Sequence, residues 1–379
     1  MPKSVRLGSS LATAELYSPF EHPEESLMTK TDTAISKHSS DSLRPWLGLK
    51  AIPGIGDSIL CRLIQQFGSP EAVRSASIES LVTVERVGLP LARAIQAGPD
   101  PAAREAVEKE LAEIERLHLS VLTFLDPAYP ARLKTIPDPP PLLYVSGELR
   151  EDDRLAVAVV GSRHVSPAGR VFTEKLVREL AAAGVTVVSG LARGVDAAAH
   201  RGALEAGGRT IAVSGCGIDR TYPPEHQTLR KQIESSGDVL TELPSGATPH
   251  SYHFPKRNRI ISGLSIGVVV TEAALQSGSL ITARLAAEQG RDVFAVPGPV
   301  QSENSRGVNG LIKQGAKLVE TVDDVLDELL PQLDAALQEG SRRRGACGRR
   351  MRRARISVWS ARRRRSTACS RPSRYISMS

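Results

Sequence analysis

Aromatic residues make up only 4% of this 379-residue chain, and it has only four cysteines. Cys61, Cys216, Cys347 and Cys369 are widely spaced with no CxxC pair, which argues against a disulfide framework and a thiolate zinc site. No apolar run reaches the roughly 18–20 residues needed to span a bilayer. The N-terminal stretch has no apolar h-region, so no secretory signal is read. The cytoplasm is the expected compartment, without a membrane partner. Two phosphate-binding signatures are also missing. No G-x-G-x-x-G follows an apolar run: Gly215 and Gly217 lack the third glycine, and Gly190 and Gly194 have the wrong spacing. No G-x-x-x-x-G-K-[ST] occurs. Neither a dinucleotide fingerprint nor an ATP-hydrolysing loop is supported.

What is present is charge, unevenly placed. The formal net charge is +7, yet residues 340–379 hold 14 Arg and no Lys, Asp or Glu. Without them, 35 basic residues face 42 acidic ones, a net of −7 for residues 1–339. Affinity for phosphate in the body must then come from local placement of cations and amides.

Along the chain, residues 1–41 are rich in Ser and Thr without apolar periodicity and read as a flexible arm. A helical unit is expected over residues 42–120. There, Gly54 and Gly56 form a tight turn, Asp57 or Ser58 can cap the next helix, and Gly68 ends it. The spacing resembles a helix-hairpin-helix, or SAM-like, domain, with a weaker second copy around Gly88. Such a turn presents amides to a DNA phosphate, or simply joins two packed helices. A proline-punctuated connector follows over residues 121–152. From residue 155 onwards apolar strands alternate with amphipathic helices, an α/β pattern that predicts a Rossmann-like parallel sheet over residues 121–330. The Arg-rich tail, residues 331–379, reads as disordered, with the texture of GC-rich coding sequence out of frame.

The loops after these strands carry the chemistry, because parallel sheets bind ligands at their carboxyl edge. One loop brings Gly161, Ser162 and Arg163; another brings Ser189, Gly190 and Arg193. A basic cluster, Lys256, Arg257 and Arg259, precedes the strand over residues 266–270. The turn after that strand, Ser277, Gly278 and Ser279, opens a helix whose N-terminus favours an anion. Asp196 and His200 lie on one helix face. With no third ligand apparent, they read as a carboxylate packed against a satisfied imidazole. Glu272, at a strand end, could act as a general base, but a carboxylate so placed more often organises its loop.

Several long stretches, in order, closely resemble the DNA-processing protein A family, also called Smf. They are VVGSR (159–163), SGLARGVDAAAHRGAL (189–204), TIAVSGCGIDRTYPPEH (210–226), FPKRNRIISGLS (254–265), EAALQSGSLITARLAAEQGRDVFAVPG (272–298) and GVNGLIKQGA (307–316). The resemblance covers about residues 43–330. It implies an extended Rossmann fold, a homodimer, single-stranded DNA as ligand, and loading of the recombinase RecA during natural transformation. It implies no cofactor, no metal and no catalytic residue. By motif it places Ser162, Arg163, Ser189, Gly190, Phe254, Arg257, Asn258 and Ser277 to Ser279 in the DNA pocket. With aromatics at 4%, stacking is expected to be minor, from Phe254 alone, and main-chain and Arg contacts to phosphate to dominate.

The sequence departs from that pattern in three places. Ser251 stands where some relatives carry a basic residue, the N-terminal arm has no counterpart, and the tail replaces a winged-helix domain. The alternative is a nucleoside-monophosphate phosphoribohydrolase on a related sheet. Its P-G-G-x-G-T-x-x-E turn corresponds to residues 276–284 here, and Arg284 falls near the catalytic glutamate.

Overall fold

A computed structural model describes residues 38–329. The flexible arm lies outside these residues as far as residue 37, and the Arg-rich tail lies outside them entirely. Ser40 and Asp41, assigned to the arm, instead begin the first helix, which Ser39 caps.

The helical unit contains α1 (Ser40–Lys50), α2 (Asp57–Phe67), α3 (Pro70–Ser75), α4 (Ile78–Leu81), α5 (Leu89–Ala97) and α6 (Pro101–Arg116). As the glycine predicted, α2 ends at Gly68 in a left-handed C-cap. The expected side-chain cap at its start does not form. Gly56 is the N-cap, and the Asp57 carboxylate is drawn instead to Lys256 at 2.7 Å and Arg259 at 3.4 Å.

The connector joins the sheet instead of merely bridging domains. Its strands β1 (Ser120–Thr123) and β2 (Leu142–Gly147) pair antiparallel with each other, and β2 pairs antiparallel with β6 (Asp238–Thr241). The remaining strands are β3 (Ala156–Val160), β4 (Thr186–Ser189), β5 (Thr210–Val213), β7 (Gly267–Val270), β8 (Asp292–Ala295) and β9 (Lys317–Leu318). With β6 they pair in parallel, and the nine-strand order is β1-β2-β6-β5-β4-β3-β7-β8-β9.

The crossover helices are α7 (Pro167–Ala182), α8 (Val195–Glu205), α9 (Gln227–Ser236), α10 (His253–Leu264), α11 (Gly278–Glu288) and α12 (Glu303–Lys313). Residues 322–329 are helical as well. Strand β3 shows why both faces must be covered, since all five of its residues are buried. Val157 and Val159 enter one core with Leu176, Val177 and Leu326. Ala156, Ala158 and Val160 enter the other, with Ile260, Ile261 and the helical unit. The chain winds outward from β3 through β4, β5 and β6, then returns to the other side of β3 for β7. The strand order therefore reverses between β3 and β7, where an open sheet has its ligand crevice.

Candidate nucleic-acid interface

The loops after β3 and β7 meet at that reversal. The Ser162 amide donates to the Glu272 carbonyl at 2.7 Å. The Glu272 carboxylate accepts from the Ser166 amide at 2.9 Å, the Ser166 hydroxyl at 2.5 Å and the Asn304 amide group at 3.3 Å. Glu272 thus organises the start of α7, where Ser166 is the N-cap and Pro167 the first helical residue. Close approach of the β3 and β4 loops depends on Gly194. It has φ +75°, and a Cβ there would lie 2.2 Å from the Ser162 carbonyl.

The β4 loop is held from below. Leu191 adopts φ +55°, unusual for a branched residue, and is buried. Its amide donates to His200 Nε2 at 3.3 Å, and its carbonyl accepts from His226 Nδ1 at 2.9 Å. Thr210 Oγ1 donates to the Val187 carbonyl, so it accepts from His200 Nδ1 at 2.7 Å. His200 therefore has its proton on Nδ1 and a lone pair on Nε2. Burial, with His226 and Arg257 adding to it, pushes the His200 imidazole down to about 3, which keeps it neutral.

Asp196 is buried and accepts from the Ala192 amide at 3.3 Å. Burial raises its carboxyl while Arg257 opposes the rise. Arg257, predicted as a phosphate contact, is instead 4% exposed. It lies under the loop and donates through Nη1 to the Val213 carbonyl. Burial lowers its guanidinium to about 10, with Asp196 opposing. Gly190 has to be glycine because a Cβ there would lie 2.1 Å from Arg257 Nη1 and 2.6 Å from Asp196 Oδ2. The Ser189 hydroxyl is likewise buried and donates to the Val159 carbonyl at 2.7 Å.

Above this floor lies a notch lined by Arg163, Gly190, Ala192, Arg193, Tyr222 and Phe254, with Pro223 at its side. The Arg163 guanidinium sits 5.3 Å from the Phe254 ring centre, over its face. Tyr222 also packs against Phe254, with ring centres 5.4 Å apart and planes tilted by 44°. Arg163 is exposed. Arg193 is also exposed and pairs with Glu225 at 2.5 Å. Arg259 is not in the notch. It is 3% exposed and bound by Glu242 at 2.6 Å, Asp138 at 3.0 Å and Asp57 at 3.4 Å. Sequence reasoning missed Tyr222, His226 and the direction of both buried arginines. The TYPPEH stretch, quoted only as a resemblance, contains the first two.

The family model for DNA recombination-mediator protein A matches residues 120–330. The chain belongs to this family. Protein Smf of Escherichia coli is 40% identical over 285 residues, covering 75% of this chain and 74% of that protein. DNA processing protein DprA of Streptococcus pneumoniae is 46% identical over 223 residues, covering 57% of this chain and 79% of that protein. The X-ray structure of DNA processing protein A from Streptococcus pneumoniae aligns with a TM-score of 0.62 and 37% identity, over 77% of this chain and 98% of that one. DNA processing protein A from Helicobacter pylori, solved to show its single-stranded DNA binding mode, aligns with a TM-score of 0.51 and 32% identity. It covers 57% of this chain and 98% of that one.

In this recombination-mediator chain, helix α10 links the notch to the β7 loop. Phe254 and Asn258 are one helical turn apart, and the Asn258 Nδ2 donates to the Gly278 carbonyl at 3.3 Å. Ser277 caps α11 by accepting from the Ser279 amide, and the two hydroxyls lie 2.7 Å apart. Ser279 is buried, whereas Gly278 is exposed. The rim therefore combines one exposed arginine over a ring, a helix N-terminus without an acidic first turn, and loops made rigid from beneath.

Proposed function

We propose that this protein binds single-stranded DNA along the β3–β7 edge, without catalysis, and as a homodimer loads RecA onto strands taken up in natural transformation. One observation carries the DNA reading: Arg163 stands exposed over the Phe254 ring, at the strand reversal, on a floor of buried polar groups. A cation beside a stacking ring suits a phosphate and its neighbouring base in any sequence. The single-stranded DNA binding mode of the Helicobacter pylori relative supports the same ligand. The family's description as a recombination mediator supports the RecA role.

The polar groups argue for binding over chemistry. Asp196, His200 and Glu272 are each committed to loop amides or hydroxyls, which leaves them structural partners already. The phosphoribohydrolase reading is weaker because Arg284, exposed on α11, stands near where that enzyme class needs an acid.

The test is an anisotropy titration of the full chain with fluorescent single strands and duplexes over a range of salt. Wild type is expected to favour single strands whatever their sequence. Arg163→Ala should weaken binding uniformly and reduce the log–log salt slope by about 0.7–1, the loss of one phosphate contact. Equal affinity for duplex, or release of a free base from a nucleoside monophosphate, would refute the reading.

A further inference from the structure

Two aromatic rings are exposed among the described residues, Tyr222 at 37% and Tyr252 at 66%. In a chain so poor in aromatics, both occur beside Phe254. Tyr222 packs against the Phe254 ring, and Tyr252 lies two residues before it at the start of α10. Tyr252 is not a loose side chain. Its ring is stacked on His250, with centres 5.5 Å apart and planes 7° from parallel, while His253 meets it edge-on at 4.4 Å. His250 is itself held by Thr248 Oγ1 at 2.9 Å, and its carbonyl accepts from the His253 amide at 3.0 Å. The two histidine rings also touch, with centres 5.4 Å apart. Exposing a flat ring that its neighbours hold in place leaves an apolar face in water, the feature of a platform awaiting another flat group.

We propose that the Tyr252–His250 pair is a base-stacking shelf that extends the Arg163–Phe254 notch by at least one nucleotide. The inference rests on the single-stranded DNA reading above. A nucleobase is the ligand that fits, for two reasons. Tyr252 stands at the start of α10, two residues and at most about 7 Å of backbone before the ring under Arg163, so a strand held there by its phosphate has the shelf within reach. The adjoining Ser251 adds no cation, so the shelf contributes a π face and no counterion. Stacking on such a face tolerates every base and is typically worth about 1–3 kcal/mol per base, or roughly 5- to 150-fold in affinity.

Two fluorescent probes of equal length separate the contributions: an oligothymidylate, and a strand with abasic tetrahydrofuran sites in place of its nucleosides. In the full chain, Tyr252→Ala should weaken binding of the oligothymidylate about 5- to 150-fold. The abasic strand and the salt slope should be unaffected, and Tyr252→Phe should retain wild-type affinity. If Tyr252→Ala binds oligothymidylate like wild type while Arg163→Ala still weakens it, the shelf is wrong and the functional reading stands. If Tyr252→Ala weakens both probes alike, the ring acts through the backbone path and the stacking assignment fails. A wild-type chain that ignores both probes overturns the functional reading and the shelf with it.

Discussion

Replacing Arg257 by alanine distinguishes a residue that touches DNA from one that shapes the loop touching DNA. The guanidinium is 4% exposed, donates to the Val213 carbonyl, and lies with Asp196 against the same glycine, Gly190. Its Nε has no hydrogen-bond partner. Removing it leaves the buried Val213 carbonyl without its donor and the buried Asp196 carboxyl without the cation that opposes its burial, and uncompensated buried charge of this kind costs about 3–5 kcal/mol. At roughly 2–4 °C per kcal/mol for a domain of this size, the melting temperature should fall on the order of 10 °C. The deficit should also depend on pH. Burial already raises the Asp196 carboxyl above its ordinary value with Arg257 present, and losing the cation raises it further. A carboxyl with a raised folded-state pKa favours folding at low pH, and this contribution is lost as pH rises through that pKa. The Arg257→Ala deficit should therefore be larger at pH 8 than at pH 5, and adding Asp196→Asn should recover part of it. Thermal melts by circular dichroism across that range, with anisotropy titrations alongside, provide both readouts. Arg163→Ala should lose affinity with no change in melting. If Arg257→Ala melts like wild type yet binds as poorly as Arg163→Ala, the guanidinium reaches the DNA itself and the floor described above is wrong.

Two further predictions concern buried charge away from the notch. Glu242→Gln removes the acid at 2.6 Å from buried Arg259 and at 3.4 Å from Lys256, and urea unfolding should show a loss of about 3–5 kcal/mol; an unchanged midpoint and slope would mean Asp57 and Asp138 suffice. Asp238 is fully buried, and burial, with Asp153 adding to it, pushes its carboxyl up to about 7 against the opposing Arg209. The folded chain then holds a proton between about pH 4 and 7 that the unfolded chain has released, so this group's contribution to stability declines across that window. Asp238→Asn should gain on wild type by up to about 1.4 kcal/mol per pH unit from pH 5 to 7, and parallel stability curves would contradict the assignment.

How far the sequence foretells these features depends on the range of the interaction. The β3 run AVAVV and the glycine and serine loops after β3, β4 and β7 were legible because apolar continuity and turn chemistry are local. So was the Ser166–Pro167 start of α7. The antiparallel pairing of β2 with β6, which carries the β1–β2 pair into the sheet, was not, since its partner strand lies almost a hundred residues further on. Arg257 was legible in principle. Arg257, Ile260, Ile261 and Leu264 follow the i, i+3, i+4, i+7 spacing of one helix face, and all four are buried. The basic cluster masked that period, because three cations in four residues look like a surface. Arg259 had no such local signal. Its acids, Asp57, Asp138 and Glu242, come from the helical unit, the connector and the end of β6.

These buried charges explain how an acidic body can present a surface for a polyanion. Helix α10 is fastened at exposed Lys256 and buried Arg259 to acids from three other segments, so both cations are neutralised by the protein's own carboxylates. Arg257 is spent on the β4 and β5 loops in the same way. What α10 then offers is half-buried Phe254 and, at its start, the exposed Tyr252 ring, while Arg163, the exposed cation over Phe254, comes from another loop. Fastening the helix by its charges fixes the rings relative to Arg163, and rings held in place lose little entropy when a base stacks on them. With only Arg163 and the Glu225-paired Arg193 as cations in the notch, the pull of phosphate there is modest. On the proposed single-stranded DNA reading, preference for a single strand over a duplex would then come from faces that only an unpaired base can reach, which Phe254 and Tyr252 on α10 would offer.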